Sequence, residues 1–400
     1  MMSQDLFERT RALFDLPEGV IYLDGNSLGA MPKAARERVR RELDESWGRE
    51  LIRAWNTAGW IDMPSRIGDR IGELIGAPSG SVMAADSTSV NLYKALNAAL
   101  RLAGPRKTIL SDSGNFPTDL YIAEGVIATL DRGHALKVVA PEEAADAMDE
   151  TVAVLMLTEV DYRTGRLHDM AALTAKAKAL GIVTIWDLAH SAGALPVDLT
   201  GAGADFAVGC GYKYLNGGPG APAFIYVRPG LQDEVTPVLS GWMGHAAPFE
   251  FDLHYRPAPA MHRLRAGTPA VLSMAALEAA LTVWDGVEMS AVRARSITLS
   301  EAFIRTVEQL CPELELASPR DPERRGSQVS FRYPHGYEVM QALIAEGIIG
   351  DFRAPDIVRF GFTPLYLRLA EVEAAAGRLA AIVDQRLWDR AEFRARNKVT

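Results

Sequence analysis

Cysteine is nearly absent from this chain: two in 400 residues, Cys210 and Cys311, too few and too far apart for a disulfide framework or a thiolate metal site. Long apolar runs are missing as well. No stretch approaches the ~20 consecutive apolar residues of a membrane-spanning helix, and the start, Met1-Met2-Ser3-Gln4-Asp5, lacks the basic-then-apolar pattern of a secretion signal. Basic charge is in deficit, with 42 Lys and Arg against 51 Asp and Glu and a formal net charge of −9, which argues against nucleic acid or an anionic membrane as partner. The seven histidines show no metal-type spacing such as H-E-x-x-H. These absences lead to the expectation of a soluble, cytoplasmic protein of a reducing compartment, without a metal, whose partners include neither nucleic acid nor membrane.

What is present is apolar residue in quantity, 48% of the chain, enough to bury a large core in two domains. The pattern predicts an N-terminal segment over 1–40, a large α/β domain over 41–285 and a smaller α+β domain over 286–400. Near the start, a short strand runs into the tight polar turn Asp24-Gly25-Asn26-Ser27-Leu28-Gly29. Ala35, Val39, Leu43 and Trp47 then recur at four-residue intervals, predicting an amphipathic helix. Pro64 opens another helix, with Ile67, Ile71, Leu74 and Ile75 on one face. From about 107, short apolar runs at 108–110, 152–157 and 182–186 alternate with helical spans, one of them near 170–180 and closed by Gly181. That alternation predicts a mostly parallel sheet with right-handed crossovers. Beyond 290 a long helix with Ile304, Val307 and Leu310, short strands near 314–316, 328–333 and 357–362, and a terminal helix with Val372, Leu379, Val383 and Leu387 describe the smaller domain.

In parallel sheets ligands sit at the carboxyl ends of the strands. The polar residues of this chain fall there: Phe116-Pro117-Thr118-Asp119 after the first run, Thr158-Glu159 after the second, Asp187 and His190 after the third. A fourth such place is the glycine-rich stretch 209–220, which puts Lys213 in an irregular turn between two apolar runs. Taken alone, a turn of this kind is more often a surface hairpin with a solvated lysine. Glycine also lets backbone approach a ligand, and a partly buried lysine is a nucleophile toward aldehydes. Lys213 together with Asp187 is the protein contribution of a pyridoxal phosphate enzyme: a lysine that forms a Schiff base, and an acid that keeps the ring nitrogen protonated. Ser87 and Thr88 precede the helical stripe Leu92, Leu96, Ala99 and Leu100. They serve either as helix caps or, with the free N–H groups there, as a phosphate seat. Phe116 is placed to stack on a ring.

Four motifs carry a closer likeness: Asp24 to Gly29, Asn115-Phe116-Pro117-Thr118-Asp119, Trp186-Asp187-Leu188-Ala189-His190-Ser191-Ala192-Gly193, and Tyr212-Lys213-Tyr214-Leu215-Asn216-Gly217-Gly218-Pro219-Gly220. With Arg359-Phe360-Gly361-Phe362-Thr363-Pro364-Leu365-Tyr366, they make the chain resemble the kynureninases from about residue 20 onward. The resemblance implies a fold-type-I, aspartate-aminotransferase-like α/β domain with a smaller α+β C-terminal domain. It also implies pyridoxal 5'-phosphate as cofactor, and a homodimer whose active site is shared between subunits. The implied reaction is hydrolysis of L-kynurenine, and of its 3-hydroxy form, to anthranilate (3-hydroxyanthranilate) and L-alanine, in tryptophan catabolism and NAD biosynthesis. Lys213 matches the Schiff-base lysine, Asp187 the partner of the ring nitrogen, and Tyr212 a proton relay. Ser87, Thr88, Tyr212 and Trp242 match phosphate-side positions, Trp242 from the neighbouring subunit. Phe116, Asp119, Thr158 and His190 match positions around the ring, and Thr268 one near cofactor and substrate. Arg359 matches the arginine for the substrate α-carboxylate, Ser27 a second substrate contact, and Trp55 a position near the substrate ring. Trp55 and Thr268 lean toward unsubstituted kynurenine. A class V aminotransferase is the rival reading. A cysteine desulfurase needs a reactive cysteine on a mobile loop, whereas Cys311 follows a helical apolar run and is expected to be buried. A cofactor-binding regulator needs a DNA-binding domain that the length leaves no room for.

Overall fold

The run Val152–Thr158 contains no charged residue and is buried along its whole length, as a strand covered on both faces must be. It lies in the middle of the architecture found in the computed structural model, which describes residues 2–396. In chain order the strands are Ile21–Tyr22 (β1), Val82–Ala84 (β2), Thr108–Asp112 (β3), Ala135–Val139 (β4), Val152–Thr158 (β5), Val183–Asp187 (β6) and Phe206–Cys210 (β7). They continue with Ala223–Val227 (β8), Glu315–Leu316 (β9), Gln328–Arg332 (β10), Ile348–Ile349 (β11), Asp351–Arg353 (β12) and Ile357–Gly361 (β13). A seven-stranded sheet has the order β2-β8-β7-β6-β5-β3-β4. Strands β7, β6, β5, β3 and β4 run parallel, and β8 is antiparallel to both its neighbours.

Alternation along β5 feeds two cores. Leu155 and Leu157 join Ile67, Ile71 and Trp186 on one side; Val154 and Met156 join Leu92, Leu96 and Val208 on the other. Helices therefore cover both faces, and the sheet is the middle layer of three. The fold is that of the large domain expected of a fold-type-I enzyme, and the short strands β2 and β4 were not legible in the sequence pattern.

A second, antiparallel sheet has the order β12-β13-β10-β9. Phe303, from the helix Met289–Leu310, packs on Phe360 with ring centroids 4.7 Å apart, and on Phe362 at 5.5 Å. The N-terminal chain is stitched to this region: β1 pairs in parallel with β11, and Thr10 Oγ1 donates to Leu365 O at 2.7 Å. Among the described residues no helix is long and apolar enough to cross a membrane.

Two sequence expectations need correction. The stripe Ala35, Val39, Leu43 and Trp47 does not stay on one buried face. The α-helix Lys33–Arg41 passes into a wider π-type helix over Glu42–Glu50, and that change of period turns Leu43 and Trp47 into solvent. Glu42 and Ser46 are the buried residues there, and Glu42 accepts the indole N–H of Trp60 at 2.8 Å. Likewise Leu310, read on the face of Ile304 and Val307, ends its helix exposed.

Candidate active site

The loop between β7 and β8 carries Lys213, and its course is set by glycines packed against backbone. The Gly29 amide donates to Tyr212 O at 2.8 Å, and a Cβ on Gly29 would lie 2.3 Å from Lys213 O. Gly217 donates to Gly211 O at 2.9 Å, and Asn216, in the left-handed region at φ 59°, donates its amide to Lys213 O at 2.9 Å. The Asp24–Gly29 turn thus locks the lysine loop from below, so the loop is no surface hairpin. Lys213 Nζ lies 2.9 Å from His190 Nε2, and 5.9 Å and 5.8 Å from the ring centroids of Phe116 and Tyr212.

Parallel register aligns the acids. Thr158, ending β5, stands opposite Asp187, ending β6. Asp187 Oδ1 accepts the Ala189 amide at 2.8 Å. Asp119 enters from the first turn of the helix Pro117–Leu130, which Phe116 precedes and Pro117 opens. Burial pushes the Asp187 carboxyl up, while the nearby Lys213 charge holds it back. Asp119 is pushed well above the carboxylate range by burial and then by the charge of Asp187. Two carboxylates in one dry pocket cannot both ionise freely, and burial raises both. Asp119 Oδ2 is buried and has no hydrogen-bond partner among the described residues. Burial, then the charges of Lys213 and Arg359, holds His190 well below its ordinary range, so the imidazole is neutral. Burial, with Cys210 and Asp187 nearby, raises the Tyr212 phenol far above its ordinary value, so it keeps its proton.

Beside Tyr212 opens a cavity of about 320 Å³ lined by Asp86, Ser87, Thr88, Cys210 and Gly220. It faces the start of the helix Thr88–Leu102, whose cap is Ser87; the Ser87 hydroxyl accepts from the Val90 amide at 3.4 Å. The capping reading holds; a cap that satisfies one amide leaves others, and the helix dipole, aimed at the cavity. The Asp86 carboxylate at this mouth is neutralised by Lys94, which also donates to Leu264 O at 2.7 Å.

Arg359 lies on β13, an interior strand, and is buried. The register sets Ser330 and Asp351 directly across from it. Arg359 Nη2 donates to Ser27 Oγ at 2.8 Å and to Asp351 Oδ2 at 2.5 Å, and Nη1 donates to Tyr162 O. Asp24 completes the seat; burial, then the Asp351 charge, pushes its carboxyl up to about 7.

Lys213, Asp187, Asp119, Thr158, His190, Phe116, Tyr212, Ser87, Thr88, Arg359 and Ser27 therefore gather around the strand ends. Three expected residues stay apart from this cluster within the chain. Trp55 packs edge-on to Trp60 at 5.9 Å, and Trp242 edge-on to Phe249 at 5.8 Å. Thr268 is exposed and lines a neighbouring cavity that shares Asp86 and Gly220 with the first. Sequence reasoning missed Tyr162, Gln328 and Asp351. Asp351 sits on β12, too short to read, and only register reveals it; Gln328 and Tyr162 act through an amide and a carbonyl, which leave no motif.

A kynureninase C-terminal domain pattern matches residues 292–379. The kynureninase of Pseudomonas fluorescens is 50% identical over 405 aligned residues, covering 100% of this chain and 97% of the relative. That of Burkholderia pseudomallei (strain K96243) is 51% identical, covering 98% and 95%. Among solved structures, a cysteine desulfurase from Thermococcus onnurineus NA1 superposes with a TM-score of 0.79 at 21% identity, covering 94% of this chain and 98% of that one. C-DES, solved with glycine covalently linked to its pyridoxal phosphate cofactor, gives 0.80 at 19% identity, covering 92% and 98%. The distant structures share the fold, whereas half-identity over the whole length reaches further: this chain belongs to the kynureninase family.

Proposed function

We propose that this protein cleaves L-kynurenine, and more slowly 3-hydroxykynurenine, by hydrolysis to anthranilate or 3-hydroxyanthranilate and L-alanine, using pyridoxal 5'-phosphate. The observation that carries the reading is convergence: Lys213 lies beside the Asp187–Asp119 pair and is linked to the buried Arg359 through His190, Gln328 and the Tyr162 carbonyl. Family membership names the substrate.

The residues fit the cofactor by their own chemistry. An unpartnered Asp119 Oδ2 beside Asp187 calls for a positively polarised N–H. A helix start with hydroxyls and free amides calls for an anion. Phe116, beside Lys213, offers an aromatic face. Bound there, the cofactor supplies an aldehyde that captures the amino group and a ring that accepts the electron pair released at the α-carbon.

The protein's part is to bind, orient and move protons. Arg359, with Ser27, holds the α-carboxylate through charge-assisted hydrogen bonds. Asp187 keeps the ring nitrogen protonated, and Ser87, Thr88 and Tyr212 seat the phosphate. Lys213 Nζ, freed by the substrate amine, takes the α-proton. Water adds to the γ-ketone, the Cβ–Cγ bond breaks and anthranilate leaves. Tyr212, whose phenol keeps its proton, supplies it to the remaining three-carbon fragment. Trp242 reaches the phosphate from a second copy, and the exposed Trp242, Phe249, Phe251 and Leu253 offer an apolar face for that copy. The enzyme works in the cytoplasm, in tryptophan degradation.

No desulfurase reading competes: Cys210 ends β7 and Cys311 caps a helix, and both are buried. The test is direct. Purified with its cofactor, the protein should absorb in the near-visible and convert kynurenine to fluorescent anthranilate plus alanine. A coloured protein that ignores kynurenine and transaminates other amino acids would move the assignment to an aminotransferase. A protein that takes up no pyridoxal phosphate would end the reading.

A further inference from the structure

Gln328 opens β10, in the smaller sheet, yet its side chain reaches the lysine site of the larger one. Its carboxamide nitrogen donates to Asp161 O and to Tyr162 O, both at 3.0 Å. Those two carbonyls use up the amide protons and fix which end of the carboxamide faces them. The oxygen, Oε1, then faces His190 Nδ1 at 2.8 Å. An amide oxygen only accepts, so Nδ1 must carry the proton. His190 is neutral in this pocket, so Nε2 is left bare, and it faces Lys213 Nζ at 2.9 Å.

We propose that Gln328 is a positioning residue: by fixing the Nδ1–H tautomer of His190 it makes Nε2 an obligate acceptor toward Lys213 and toward any group that takes the place of Lys213 Nζ. The alternative requires the carboxamide to turn over. That sets its oxygen against two carbonyl oxygens and leaves the Asp161 carbonyl with the Gly165 amide alone and the Tyr162 carbonyl with Arg359 Nη1 alone. Packing opposes it too. Gln328 is buried, and a Cβ on Gly165 would lie within 2.9 Å of Gln328 Cγ, so only glycine at 165 lets the loop close over this side chain. The charges facing His190 act in the same sense: Lys213 from the β7–β8 loop, Arg359 from β13 and Arg353 from β12 all oppose a second proton on the ring. Asp187, at the head of its own turn, is answered by Lys213.

Tyr162 O gives the arrangement reach, because it accepts from Gln328 Nε2 and from Arg359 Nη1 at once. The carboxylate seat and the lysine's hydrogen-bond partner thus hang on one carbonyl.

The inference rests on Lys213 being the cofactor lysine, and its test is separable from that reading. Histidine-selective ¹⁵N NMR of the unaltered protein, with and without pyridoxal phosphate, should show His190 neutral and protonated at Nδ1 through neutral pH. Protonation at Nε2 would overturn the proposal outright, whatever the enzyme does with kynurenine. Gln328→Glu puts a charge at Nδ1 and should turn His190 into an imidazolium with both nitrogens as donors. Gln328→Met removes the acceptor and should give mixed tautomers. In both, the pH midpoint of the near-visible band and the acid limb of kcat should shift together, and kcat should fall by on the order of ten- to a hundredfold, the loss seen when a metal-ligating histidine loses the partner of its other ring nitrogen. Midpoints identical to the unaltered enzyme in both folded variants would likewise overturn it. Failure of the unaltered protein to bind the cofactor would instead strike at the function.

Discussion

Asp187 and Asp119 share a dry pocket beside Lys213, and the same dryness governs the other acids nearby. Tyr212 is held protonated by burial, so it is a donor in waiting. Tyr212→Phe should weaken cofactor binding through one lost phosphate contact and, at saturating cofactor, lower kcat by roughly 10²–10⁴, the usual worth of a general acid. Rapid-quench release of anthranilate against alanine checks it, since the loss belongs to the later, alanine-forming step. Glu159 is a different case. It lies beyond the reacting groups, near Ser191, and burial pushes its carboxyl up to about 7 from 4.5. The folded protein therefore holds this proton more tightly than the unfolded chain. Its contribution to stability is largest below about 4.5, declines as pH rises to about 7, and is flat above. That interval corresponds to up to about 3 kcal/mol. Glu159→Gln should flatten the decline between these limits and raise the melting temperature at pH 8 relative to the unaltered protein, as calorimetry across that range would reveal. At this scale the sequence spoke clearly about Lys213, Asp187, His190 and Phe116, because their chemistry needs those side chains. It was silent on Gln328 and Tyr162, whose work is done by an amide and a main-chain carbonyl.

Elements supply the positions. The lysine loop is fixed by its own glycines and also by Gly29, from the turn after β1, whose amide holds Tyr212 O. Gly29→Ala drives a methyl into Lys213 O. It should cost ~1–3 kcal/mol, as overpacking does, and should raise the rate of cofactor loss disproportionately, because the displaced atom belongs to Lys213 itself. Cofactor off-rates by absorbance, compared with the melting shift, separate the two effects; a variant that only melts lower, with cofactor retention unchanged, would contradict this account. The polar turn 24–29 was readable as a turn, but nothing in the local sequence says what it rests on. Element boundaries failed where period changed, as when the helix from Lys33 widened after Arg41 and released Leu43 and Trp47. They failed again at β2, β11 and β12, two or three residues long, although the equally short β1 and β9 were read. A pair or triplet of residues carries little periodicity, so such strands are read only where a turn or a change of pattern marks them.

At the scale of the molecule, the two sheets meet at the site. The larger supplies Lys213, Asp187 and Thr158; the smaller supplies Arg359 and Gln328. A single chain leaves Trp242 pointing away, packed on Phe249 in an exposed apolar stretch. If a second copy delivers Trp242, then Lys213→Ala and Trp242→Ala chains, each poorly active alone, should regain activity when mixed under conditions that exchange subunits. One site of each mixed dimer would then lack both defects. Mixed dimers isolated by tandem tags and assayed with kynurenine provide the measurement; no gain over the separate variants would mean that each site is built from one chain.

The sequence by itself determined the α/β class, the strand-end placement of the polar residues and the identity of the groups that do chemistry, since apolar period and side-chain type are local properties. Tertiary structure alone decided that Lys213 meets His190 rather than standing on a surface hairpin, that Asp119 and Asp187 are buried together, and that Asp351 faces Arg359. It alone brought Gln328 from the second sheet to His190. Burial, register and the orientation of an amide arise only when distant segments meet, so no window of the chain contains them.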